Sequence, residues 1–120
     1  MPFEIEQVGK QLAAAMIASL KTDSAKVARL AEAEGYKLAY SLARIAEMLA
    51  QQQIDSDEAQ MLARVQQHAS EAVLASLAEV SRVAASKAVS QALIGVAASV
   101  DTATGFPILG TLLQVAAYRR

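Results

Sequence analysis

His68 stands three residues before Glu71, and on a helix that spacing brings both side chains to one spot, where an imidazole and a carboxylate could share a proton or a ligand. Dimetal sites in helical bundles use Glu-x-x-His from two helices plus further glutamates, whereas this chain has one reversed copy and a single histidine. A surface His–Glu pair is therefore expected, with no metal or other cofactor. Ser81, Ser86 and Ser90 offer hydroxyls, yet no base lies near them in sequence, and one histidine leaves little to build a nucleophilic triad. The segment from Gly105 to Gly110 lacks the lysine and the preceding strand of a phosphate loop. Cysteine is absent, which removes thiolate chemistry and disulfides. The chain is not expected to be an enzyme, and no small-molecule substrate is evident.

Glu34 is the carboxylate most out of place, because Leu30, Ala31 and Leu38 surround it on an apolar stripe. Burying it with a single hydroxyl for company would be costly. Either it reaches water at a groove edge, or it makes a polar contact that fixes register with another chain, through Lys87, which also interrupts an apolar stripe. Tyr36 and Tyr40, four residues apart on the opposite side, read as a surface pair or a second packing face.

The elements that would carry these groups are all helical. Pro2 suits a first helical turn and Glu4 and Glu6 complement the dipole there, so a helix is predicted over about 3–21, with Val8, Leu12, Ala15 and Ser19 inward. The apolar run Leu12–Leu20 follows acidic residues instead of the basic ones a signal peptide needs, and is read as mature protein. Thr22, Asp23 and Ser24 can cap a second helix over about 24–53, whose stripe is Val27, Leu30, Ala31, Leu38, Leu42, Ile45 and Leu49. Asp55, Ser56 and Asp57 can each cap a third. The next stretch has no proline and only Gly95, so a long central helix is predicted over about 57–100, its first half turning Leu62, Val65, Ala69, Val73, Leu77, Val80 and Val83 inward. Continuous helix there would measure roughly 66 Å, against a globule about 35 Å across. Pro107 opens a fourth helix over about 107–118.

Folded as hairpins about residue 55, these helices set Glu34 level with Ser76 and leave residues 87–100 overhanging the rest. There Val89, Leu93, Val96 and Val100 open a new apolar stripe, and Phe106, Ile108, Leu109, Leu112 and Leu113 follow. The expected architecture is a single all-α domain, an antiparallel bundle of about four helices. The expected function is structural: self-association into a homo-oligomer through the apolar carboxyl-terminal third, in the cytoplasm. Two readings compete. Only Asp101 is charged between Ala88 and Tyr118, so a helical hairpin over 88–118 could enter a membrane instead; a ferritin-like metal-binding bundle is third. The formal charge of −1 provides no basic field for nucleic acid.

Overall fold

The computed structural model describes residues 3–105 and 108–109. Among them the chain forms four helices, α1 over Ile5–Leu20, α2 over Ala25–Ala50, α3 over Ser56–Ala75 and α4 over Arg82–Thr104. Short turns make successive helices antiparallel. Each helix packs on two neighbours, α1 on α2 and α4, and α3 on α2 and α4, which closes the bundle into a ring. The all-α antiparallel bundle read from the sequence is the fold observed.

The caps explain where the helices start. Ser24 accepts from the Val27 amide at 3.3 Å. Asp55 and Glu58 form a reciprocal capping box, the Glu58 amide reaching Asp55 Oδ1 at 2.8 Å and the Asp55 amide reaching Glu58 Oε1 at 3.0 Å. Of the three residues that could have capped α3, it is Asp55 that does so.

The long central helix expected over 57–100 is two helices. It ends at Ala75, turns through residues 76–81, and restarts where Ser81 Oγ accepts the Ala84 amide at 3.0 Å. Nothing in 76–81 forbids helix, since the turn holds neither proline nor glycine. Packing breaks it: the molecule is 42 Å in its longest dimension, and a continuous helix would strand its apolar second half in water. Folding back instead lays α4 against α1 and buries Val89, Leu93, Val96 and Val100 in the chain's own core. The fourth helix expected over 107–118 lies outside the described residues, apart from Ile108 and Leu109, which form a turn and are themselves buried.

Two glycines set the tightest contact. A Cβ on Gly35 of α2 would stand 2.7 Å from the Gly9 carbonyl oxygen and 3.0 Å from the Ala13 nitrogen of α1, and a Cβ on Gly9 would stand 3.3 Å from Tyr36 Cα. The obstructing atoms are backbone, so no side-chain rotation would make room. Alanines extend the same close packing, Ala31, Ala39, Ala43, Ala85, Ala88, Ala92 and Ala97 being fully buried. Around them Leu12, Met16, Leu38, Leu42, Leu74 and Leu93 fill the volume.

At the far end of α4, Gly105 takes the left-handed conformation (φ 78°) and its amide returns to the Asp101 carbonyl at 2.9 Å. The Asp101 carboxylate accepts the Leu109 amide at 2.9 Å and so ties down the turn that buries Ile108 and Leu109. Burial raises the Asp101 pKa above its ordinary value, a shift that the backbone donors of Leu109 and Ile108 only partly offset.

Gly35→Ala is expected to lower stability by about 1–3 kcal/mol, the usual cost of overpacking. Gly95→Ala, at an exposed helical position with nothing within 4 Å of the added Cβ, is expected to raise it by about 0.5–1 kcal/mol. Urea unfolding of the two variants checks the pair. Asp101 has the opposite pH signature to a salt-bridged carboxylate. With its folded pKa above the unfolded one, the stability it allows is complete below the unfolded value and is lost as pH rises through the folded value. Asp101→Asn keeps an oxygen for the Leu109 amide, so the stability of the variant relative to wild type is expected to grow from pH 3 to pH 7; a difference flat with pH would refute the assignment.

Candidate functional site

α3 is built inside out relative to its sequence pattern. Its buried residues are Ala59, Ala63, Gln67, Ser70 and Leu74. Val65, expected in the core, is 53% exposed, and Met61 is 63% exposed. Ala69 and Ala72 are exposed on the same side, while Leu62 and Val73 are half-buried at its edge. In the turn, Leu77 is half-buried and Val80 is buried as expected, and at the start of α4 Val83 is 79% exposed instead of inward.

The inner side of α3 faces polar partners on both neighbours, and this explains the inversion. Glu34 on α2 is buried, accepting from Ser70 Oγ at 3.0 Å through Oε1 and meeting Lys37 Nζ at 3.1 Å through Oε2. Lys37 lies one turn on along α2 and keeps its ammonium half in solvent, so it pairs with the carboxylate at little desolvation cost to itself. Ser41 Oγ, also on α2, donates to Gln66 Oε1 at 3.3 Å. Toward α4, Gln67 Nε2 donates to Ser90 Oγ at 3.1 Å and to Glu71 Oε1 at 3.3 Å. Gln67 Oε1 is buried without a hydrogen-bond partner among the described residues. Reversing the amide would offer that oxygen the Ser90 hydroxyl but set it against the Glu71 carboxylate.

One expectation for Glu34 is thereby corrected. It does not reach water at a groove edge: it is buried, and its partners within the chain are Ser70 and Lys37, while the Ser76 hydroxyl donates to the Val73 carbonyl. The hairpin closes nearer residue 53 than 55, because α2 stops at Ala50, and this brings Ser70 level with Glu34. Lys87 is exposed on α4.

The groups that could do chemistry are partly brought together. His68 Nδ1 lies 2.9 Å from Glu71 Oε2, so the predicted pair forms. It lines a cleft of about 330 Å³ between α3 and α4 with Arg82 and Ser86. No hydrogen bond joins Ser86 to His68 among the described residues, Ser81 is spent as a helix cap and Ser90 as an acceptor for Gln67. No three His, Asp or Glu side chains are grouped to hold a metal ion among the described residues. Tyr36 and Tyr40 are both exposed; Tyr36 packs over Gly9 and lines a groove of about 380 Å³ with Lys10, Ile17 and Glu32.

The residues expected to mediate self-association are placed differently. Val89, Leu93, Val96, Val100, Ile108 and Leu109 are all within the chain's own core, so in this fold they are not a surface that another copy can reach. Phe106, Leu112 and Leu113 lie outside the described residues. Among the described residues an accessible apolar surface lies instead on the outward side of α3, with Met61, Val65, Ala69 and Ala72 at spacings of 4, 4 and 3. Met61 escaped the sequence reading altogether. Its signal was there: the same helix carries a second, polar stripe, Gln66, Gln67 and Ser70, matching Glu34 and Ser41 across the hairpin.

The chain matches no family model, no curated protein and no solved structure.

The burial of Leu93 sets the outcome of one variant. Leu93→Asp would place a carboxylate in a site 1% exposed, a change at the severe end for single substitutions, above about 4 kcal/mol. Loss of the cooperative thermal transition in circular dichroism is the expected result. Retention of full helicity with altered mass would return Leu93 to an interface.

Proposed function

We propose that this chain is a non-enzymatic structural protein that associates with copies of itself, and that the contact surface is the outward side of α3. The reading rests on one observation, the exposure of Met61 and Val65 on a helix whose opposite side is held to the bundle by polar groups. An exposed Val or Leu alone is ordinary for a soluble protein. Here one helix turns Met61 and Val65 outward and keeps Leu62 and Val73 only half-buried, while Gln67 and Ser70 are buried beside Leu74, at the cost of an unpaired amide oxygen. A second copy laid on that side would remove the apolar groups from water.

A membrane reading has a separate support. α4 is 23 residues long and apolar enough to cross a bilayer, although eight of those residues, Leu93 among them, are buried inside the bundle. Entry would require α4 to leave the core, so this reading concerns a rearranged state, and the cytoplasmic soluble form is the one proposed for the fold described above.

Met61→Glu combined with Val65→Glu tests self-association without touching the core. Light scattering after size exclusion is expected to give the wild type a mass well above 12.6 kDa and the variant the monomer mass, with the same helical circular dichroism. A wild type that stays monomeric at high concentration, or a variant that assembles as before, would sink the reading. Sedimentation of the wild type with liposomes separates the membrane alternative.

A further inference from the structure

We propose that two copies pair their α3 helices antiparallel, across a twofold axis close to Met61. This rests on the self-association reading above and specifies its geometry.

The outward side of α3 is asymmetric in charge along its length. Asp57 and Glu58 stand exposed in the first turn, Arg64 and His68 stand exposed in the middle, and Ala69 and Ala72 continue the face without charge. Within the chain, Glu58 is engaged in the capping box and His68 with Glu71. Arg64 and Asp57 have no ion-pair partner among the described residues. They are two helical turns apart and so share one flank of the helix.

A parallel pairing would set the Asp57 of one copy beside the Glu58 of the other and leave Arg64 with no acidic group at its level. Like charges held together at a helical interface select against that orientation. Antiparallel pairing about residue 61 reverses both relations. The acidic first turn of each helix then meets the basic middle of its partner, with Asp57 level with Arg64 and the relation repeated by symmetry. The helix dipoles oppose as well. Met61, with its long unbranched side chain, falls nearest the axis, where it can fill the gap beside its own copy and Val65.

The absence of cysteine makes the geometry readable by single introduced thiols. Met61 and Ala72 are both exposed, so Met61→Cys and Ala72→Cys leave the core intact. At 1.5 Å per residue Ala72 lies roughly 16 Å along the helix from Met61, so the antiparallel pairing holds the two Ala72 positions roughly 33 Å apart, far beyond disulfide reach. Under mild oxidation the full-length Met61→Cys protein is expected to give a disulfide-linked dimer on non-reducing gels, and Ala72→Cys to give none. Cross-linking at both positions would mean parallel pairing and overturn the orientation while sparing self-association. No cross-link at either, with the mass still above that of a monomer, would overturn the α3 contact itself. No cross-link and a monomeric mass would overturn self-association altogether. A charge exchange provides a second readout: Arg64→Asp is expected to weaken dimerisation about tenfold, and adding Asp57→Arg to restore it. Failure of the double variant to recover would remove the Asp57 to Arg64 pairing.

Discussion

The contact between Gly9 and Gly35 is the constraint from which the rest of the bundle follows. It lets the backbones of α1 and α2 approach until carbonyl and amide atoms leave no space for a methyl group. Glycine inside a helix costs roughly 0.5–1 kcal/mol relative to alanine, so Gly9 and Gly35 carry a penalty that the closeness of the crossing offsets. With α1 drawn so near α2, the stripes of both helices converge on one interior, and α4 is accommodated against α1 by its own alanines. Few aromatic residues are needed, because small side chains at short range bring many atoms into contact.

α3 is attached by a different kind of bonding. Its approach to α2 and α4 is organised by Ser70 with Glu34, Gln66 with Ser41, and Gln67 with Ser90 and Glu71. Polar contacts of this sort specify register strongly, because misalignment would leave a buried carboxylate or amide without its partner. They add less net stability than apolar burial of similar area. The helix is thus held in a definite place by Leu74 and by groups that give little net attraction, and Met61 and Val65 remain on the surface.

Periodicity made most of this fold legible. The stripe of α2 is long and regular, and every residue assigned to it is buried or half-buried. The stripe Val89, Leu93, Val96 and Val100 requires cover, and the chain's own α1 supplies it, not a second subunit. Ser76 and Ser81 bracket a turn that holds no glycine or proline, so the pattern ran through it, and an overhang was inferred where the chain folds back on itself. α3 shows a deeper limit. Helical periodicity says which residues share a face, and says nothing of which face is inward when the neighbours present Glu34, Ser41 and Ser90. Glu34 was visible as an anomaly; its resolution needed the register of the hairpin, which a shift of a few residues in the turn was enough to conceal.

The unequal seams have a consequence for how the molecule breathes. Backbone amides exchange with solvent through local openings whose free energies follow the apolar burial each element would lose. α1 and α2, joined at the glycines and packed on alanine and leucine, belong to the slowest-exchanging part. α3, released by the parting of a few hydrogen bonds and the exposure of Ala59, Ala63 and Leu74, belongs to the fastest of the four. Opening of α3 alone would leave α1, α2 and α4 packed, and a partner seated on α3 would slow exchange there more than anywhere else.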